Sequence, residues 1–276
     1  MSHEGRDRPL QLHVPPTAPA EGWPLVLELH GRGIDAARFD QMTGFIPLAD
    51  EAGFVLVAPT AVDEMWNDGR DPEAAEHGAP DDVRYLAAVL DGVAARLPID
   101  RGRVYVVGMS NGASMAGRLV CELTERFAAV AQVAGTAEVD IAAGCRPDRP
   151  VPILQIHGTD DPYWPYDGGV GERLRSRVVL RQGRHAVVGV DAWARFWIVA
   201  NGASGDPVAG TIAADTSARS WHGPTPASDV VFYRIESGGH TWPGGNLFLP
   251  RFLFGRTTQT FSATRAIWAF FSAHAR

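Results

Sequence analysis

The chain has 276 residues, 45% of them hydrophobic and 21% charged, a composition that fits a globular protein with a substantial core. A formal net charge of −7 offers no basic stripe, and the apolar runs stop well short of the ~20 residues that span a bilayer. Nucleic acid and membrane are therefore poor candidates as partners. The polar start of the chain, through Arg6, Asp7 and Arg8, has no signal-peptide character. As it stands the chain reads as cytoplasmic, or as secreted if a leader has been removed.

Near-continuous apolar strands alternate with amphipathic helical segments, the pattern of a parallel sheet covered on both faces, so the expected class is α/β. Strands are expected at Leu10 to Val14 and, beyond a Pro-rich loop, at Leu25 to Leu29, which runs into His30-Gly31-Arg32-Gly33. A third, Phe54 to Ala58, precedes Met65-Trp66-Asn67-Asp68-Gly69. From Asp82 to Leu97, Val83, Leu86, Leu90, Val93 and Leu97 recur on one helical face, and Pro98 ends the helix. The strand Val104 to Val107 leads into Gly108-Met109-Ser110-Asn111-Gly112, with a helix from Asn111 to about Thr124.

A serine flanked by glycines at a strand-to-helix turn is the setting of a nucleophile elbow, where larger flanking side chains would collide with the strand and helix. Strands at Ala129 to Val133 and Ile153 to Ile156 follow, the second running into His157-Gly158-Thr159-Asp160-Asp161-Pro162 and then Tyr163-Trp164-Pro165-Tyr166. The stretch Ala200 to Ser228, rich in small and polar residues and without a sustained period, is expected to be an irregular surface excursion of a single domain spanning 1–276. A last strand, Val230 to Ile235, runs through Gly238-Gly239 to His240 and Trp242, and a helix from Ser262 to His274 docks through Ala266, Ile267, Phe270 and Phe271.

A serine hydroxyl needs a histidine base, itself oriented by a carboxylate, and in open α/β sheets such groups lie at the carboxyl ends of strands. Asp160 and Asp161 follow one strand and His240 another, so Ser110, Asp161 and His240 stand in the chain order expected of α/β hydrolases. The other reading of the Asp pair is a turn former or helix cap before Pro162. His185 lies in a charged stretch, His222 in the excursion and His274 near the C-terminus, leaving His240 as the base. The oxyanion hole is expected from the backbone N–H groups of Asn111, which starts a helix, and Arg32, with His30 bonding the loop backbone. Trp66, Trp164 and Trp242, each beside one of these motifs, are expected to wall a substrate cleft, with loop packing as the alternative. Cys121 and Cys145 lie in no zinc spacing. Cys121 reads as a buried thiol, a bridge to Cys145 being the alternative in an exported protein.

These residues resemble the α/β-hydrolase esterases grouped with polyhydroxybutyrate depolymerases and feruloyl or acetylxylan esterases. The resemblance rests on Leu29-His30-Gly31, Asp81-Asp82-Val83, Arg103 to Gly112, Phe127 to Ala131 with Ala134-Gly135, His157 to Asp161, Pro165-Tyr166, Gly238 to Gly244 and Ile267 to Phe271. It implies Asp161, not Asp160, as the carboxylate and His240 as the base. It further implies a serine carboxylic ester hydrolase acting on feruloyl-type, acetyl or hydroxyalkanoate esters, with no metal or organic cofactor and an unassigned oligomeric state. Ala203 stands where members commonly have a cysteine, which together with the absent leader suggests an intracellular or disulfide-independent member. A peptidase of the prolyl oligopeptidase kind and an inert hydrolase-fold binding protein are the alternatives.

Overall fold

The computed structural model describes residues 1–70, 78–171, 186–246 and 250–276. Ser2–His3 (β1) and Arg6–Asp7 (β2) pair as a small antiparallel ribbon. After them come Leu10–His13 (β3), Trp23–Leu29 (β4), helices Ala36–Thr43 (α1) and Phe45–Ala52 (α2), and Val55–Pro59 (β5). The middle of the chain forms Asp82–Ala94 (α3), Ile99–Met109 (β6), Asn111–Glu122 (α4), Ala129–Val133 (β7), Val139–Gly144 (α5) and Ile153–Gly158 (β8). The last part contributes Val190–Ala200 (α6), Ser204–Ala213 (β9), Thr216–His222 (β10), Val230–Ile235 (β11), Arg251–Phe254 (α7) and Ala263–Ser272 (α8).

Nine strands form one sheet in the order β3-β5-β4-β6-β7-β8-β11-β10-β9. The run from β5 to β11 is parallel, and β3, β10 and β9 are antiparallel additions at the two edges. The expected α/β class holds. Alternation along each central strand feeds two cores, one per face. Leu25, Leu27 and Leu29 of β4 pack with α3, α4 and α6, whereas Val26 packs with Phe39, Met42 and Phe45 of α1 and α2 and with Ile267 and Phe271 of α8. Helix starts follow local chemistry: the Asp35 carboxylate accepts the Arg38 N–H ahead of α1, and the Asp81 carboxylate accepts the Arg84 N–H ahead of α3.

The excursion expected to be irregular is instead largely a β-hairpin. β9 and β10 pair antiparallel, and β10 pairs with β11, so residues 204–222 widen the sheet. Nearly every residue of β9 is exposed, so no face carries the alternating apolar signal that would have marked a strand. The buried-thiol reading is also corrected: Cys121 of α4 and Cys145, just beyond α5, are joined in a disulfide with a Cα–Cα separation of 5.0 Å. Their 24-residue separation hides the fact that the sheet folds α4 and the end of α5 together. That bridge also overturns the expectation of a disulfide-independent member. Among the described residues no helix is long and apolar enough to cross a membrane. His185 lies outside the described residues.

Candidate active site

The chain passes from β4 outward to β5 on one side and returns through α3 to β6 on the other, so the carboxyl ends of β4 and β6 flank a topological switch point, where open α/β sheets bind ligands. Ser110 stands there, between β6 and α4, with φ 57° and ψ −122°. A non-glycine residue at such angles is strained, and the packing around it leaves no relaxed alternative. A Cβ on Gly112 would lie 2.2 Å from the Leu29 carbonyl oxygen, and one on Gly108 would lie 2.2 Å from the Gly112 oxygen. The glycines are required because strand, elbow and helix backbones touch. Across the cleft, a Cβ on Gly31 would sit 3.5 Å from Ser110 Cβ, which places the His30-Gly31-Arg32 loop against the serine.

The exits of β8 and β11 bring Asp161 and His240 together. His240 Nδ1 lies 2.8 Å from Asp161 Oδ2, and both side chains are buried. Asp161 Oδ1 accepts the backbone N–H groups of Tyr163 and Trp164, each at 2.8 Å. Burial alone would raise its pKa, but the charge and hydrogen bond of His240, the neighbouring His157 and the Trp164 N–H hold the carboxyl below its usual range. An ionised Asp161 is acceptor-only, so Nδ1 of His240 carries the proton and Nε2 is the free base nitrogen. Among the described residues no hydrogen bond joins Ser110 Oγ to His240. Asp160 does not take part: its backbone N–H donates to Gly238 O, and among the described residues its carboxylate meets only the Thr159 hydroxyl.

The loop side is equally defined. His30 accepts the Ala61 N–H at Nε2 (2.9 Å), so its Nδ1 donates to the Gly31 carbonyl (2.8 Å), and burial pushes its pKa down. This histidine bonds the loop backbone. The Asn111 side chain works like a strand edge, accepting the Trp66 N–H at 2.7 Å and donating to Trp66 O at 3.1 Å. Its second amide proton goes to Asp68 Oδ2 at 2.9 Å. Arg70 grips that buried carboxylate through Nε and Nη2 at 2.8 and 2.5 Å, and its Nη1 stands 3.7 Å from Glu138, whose carboxyl burial pushes up to about 7. Among the described residues the backbone N–H groups of Arg32 and Asn111 have no protein acceptor.

The three tryptophans do not wall a cleft. Trp66 is buried against His30 with its indole N–H on the His30 carbonyl, and Trp242 is buried among Phe39 and Phe45 with its N–H on Thr264. Trp164 is buried too, and serves through its backbone: its N–H binds Asp161 and its carbonyl accepts His157 Nε2 at 2.8 Å. Proximity to a motif in sequence does not fix the direction of a side chain, and the interior took these large apolar rings. The aromatic residues that flank His240 are Tyr163, with ring centroids 5.0 Å apart, and Phe254, 5.6 Å from Tyr163; both are only partly buried. Tyr163 was visible in the aromatic run after Asp161, while nothing in the sequence signalled Phe254 or Asp68.

A strained serine at the β6 elbow and a buried His-Asp pair at the exits of β8 and β11, all at the carboxyl edge of a mostly parallel sheet, place the protein among the α/β hydrolases. The family model described as Esterase PHB depolymerase matches residues 9–145. The "Putative esterase NocK" of Nocardia uniformis subsp. tsuyamanensis is 32% identical over 266 residues, covering 94% of this chain and 77% of that protein. Feruloyl esterase B of Piromyces equi is 27% identical over 169 residues, 60% of this chain but only 30% of that longer protein. The acetyl xylan esterase from Aspergillus awamori shares the fold, with a TM-score of 0.59 at 14% identity over 84% of this chain and 88% of that one. The chain belongs to the Esterase PHB depolymerase family and is a carboxylic ester hydrolase.

Proposed function

We propose that the protein hydrolyses carboxylic esters through an acyl-enzyme on Ser110. His240 Nε2 takes the Ser110 proton as Oγ attacks the ester carbonyl and returns it to the leaving alcohol, and the same nitrogen then activates water to release the acid. Asp161 holds the imidazole in the tautomer that leaves Nε2 free and stabilises the imidazolium. The N–H groups of Arg32 and Asn111 are the oxyanion donors, the second reinforced by the dipole of α4. The observation that carries this reading is the buried 2.8 Å contact of His240 with Asp161, at the same carboxyl edge of the sheet as a serine held at φ 57°.

The substrate class is feruloyl-type, acetyl or hydroxyalkanoate esters, supported by the family and by the named activities of its relatives. Tyr163 and Phe254, and not the three tryptophans, are the aromatic surface offered to the ester. The disulfide supports an oxidising compartment as the place of action. Ser110→Ala is expected to abolish p-nitrophenyl acetate hydrolysis and fluorophosphonate labelling while the thermal melt stays within a few degrees; parental turnover in that variant would refute the mechanism. A panel of short p-nitrophenyl esters, methyl ferulate, acetylated xylan, hydroxybutyrate oligomers and peptide amides then ranks the substrates. Turnover of amides above esters would favour a peptidase instead.

A further inference from the structure

His240 stands on a loop, and a base on a loop acts well only if something fixes it. One side of that loop is tied to the exit of β8: Asp160 N–H donates to Gly238 O at 2.9 Å, and Ser237 N–H to the Thr159 hydroxyl at 2.8 Å. The other side rests on residues 254–258. His240 N–H donates to Phe254 O at 2.6 Å, Gly239 N–H to Arg256 O at 2.9 Å, and Gly244 N–H to Thr258 O at 2.9 Å. There is no slack in this contact, since a Cβ on Gly239 would fall 2.1 Å from the Phe254 oxygen and 2.5 Å from Gly255 Cα. A shift of segment 254–258 is therefore passed on to His240.

The segment is itself clamped by one side chain. The Arg256 guanidinium donates through Nε to Ser237 O at 3.2 Å, through Nη2 to Glu236 O, and through Nη1 to Asp215 Oδ2 at 2.6 Å. Asp215 is the turn between β9 and β10. Its carboxylate also accepts the hydroxyls of Thr258 (2.7 Å), Thr260 (2.7 Å) and Thr216 (3.0 Å), and its carbonyl accepts the Glu236 N–H at 2.9 Å. Partial burial works against the charge, yet the three hydroxyls and Arg256 hold this carboxyl far below the usual range. The tip of an exposed hairpin is thus bonded to both ends of the structure that carries His240.

We propose that Arg256, fixed by Asp215 at the β9–β10 turn, is a positioning residue that sets the approach of the His240 imidazole to Ser110. The guanidinium fork is needed for this because it serves a carboxylate and two carbonyls at once in one plane, which a single ammonium cannot do. The inference rests on His240 being the base, and it gives the hairpin a purpose in catalysis that its exposed sequence does not suggest.

The test compares Arg256→Lys and Asp215→Asn, singly and together, with His240→Ala as reference, using p-nitrophenyl acetate kinetics, fluorophosphonate labelling rates and thermal melts. Misplacing a catalytic group by about 1 Å can cost up to a hundredfold, so each single variant is expected to remain folded and to lose about tenfold or more in kcat and labelling rate with KM within twofold. The double variant should be little worse than either single one, because both break the same clamp. Folded single variants with kcat within twofold of the parent would overturn the proposal, as would parallel changes in kcat and KM. Unfolding of both would overturn it as well, since the clamp would then hold the domain and not the base. If His240→Ala itself retains parental activity, the assignment of the base fails and the positioning proposal falls with it.

Discussion

Glu28 lies near the carboxyl end of β4 with no exposed surface, on the face that packs against α1. The Thr43 hydroxyl donates to its Oε1 at 2.6 Å, while among the described residues Oε2 has no partner. Burial pushes the carboxyl up to about 8, the Thr43 bond opposing and the nearby Asp40 adding to the shift. The folded state thus holds a proton that the unfolded chain has lost between roughly pH 4.5 and 8, so stability is greatest at the acid end and falls as pH rises through 8. Glu28→Gln keeps the shape without the titration. It is expected to melt close to the parent at pH 5 and to gain on the order of 3 kcal/mol over it at pH 9; equal offsets at both pH values would show that Glu28 does not ionise there. The run Leu25 to Leu29 read as a buried strand, but nothing in that reading singled out Glu28 or supplied the identity of Thr43 as the donor. The tryptophans show the opposite failure. Their position in sequence was plain, but whether an indole faces cleft or core depends on neighbours from α1, α2 and β4 that are remote in the chain.

Between β5 and α3 the chain carries no regular strand or α-helix near Trp66, yet this segment is the support of the elbow. Asn111 holds Trp66 through two backbone bonds and Asp68 through a third, while Arg118 from the same helix donates to Asn67 O at 2.9 Å and the Asp82 carboxylate accepts the Asn67 N–H at 2.7 Å. Removing Asp68 leaves the half-buried Arg70 beside Glu138 without its main counter-ion, and leaves one Asn111 amide proton unpaired. Asp68→Ala is therefore expected to cost about 3 kcal/mol in urea unfolding, as breaking a buried pair does, and to lower kcat about tenfold with KM little changed. Unchanged stability and kcat would show that the loop keeps its place without the ion pair. The core strands and the helices α3, α4 and α8 were readable from the sequence, whereas α1, α2 and α6, which also face the core, drew no expectation: α3 begins at Asp82 as expected, though it ends at Ala94, and β6 starts five residues ahead of the expected Val104, at Ile99. β9 was not readable, because with nearly every residue exposed its sequence is under no pressure to alternate.

The parallel sheet gathers Ser110, Asp161 and His240, and the loop at Gly31, on one edge from strand exits scattered over most of the chain. The order of the motifs was readable, since each follows an apolar strand; the tertiary ties between them were not. The disulfide is one such tie, joining the last turn of α4 to the end of α5 and closing a loop that contains β7 and Glu138. A cross-link over a loop of this length is worth about 3 kcal/mol through the unfolded state, which in a domain this large corresponds to a fall of roughly 5–10 °C in Tm for the Cys121→Ser, Cys145→Ser variant. Its effect on chemistry should be small. Cys121 lies about three helical turns from Ser110, or roughly 16 Å at 1.5 Å per residue, and the glycines and Asn111 contacts that hold the elbow are at the other end of α4. The double variant is therefore expected to keep kcat and KM within twofold at 25 °C while melting earlier, and dithiothreitol should reproduce this in the parent protein. A large loss of kcat in folded double variant would mean that the elbow depends on α4 being pinned at its far end, and an unchanged Tm would mean that the two sulfurs are not bridged.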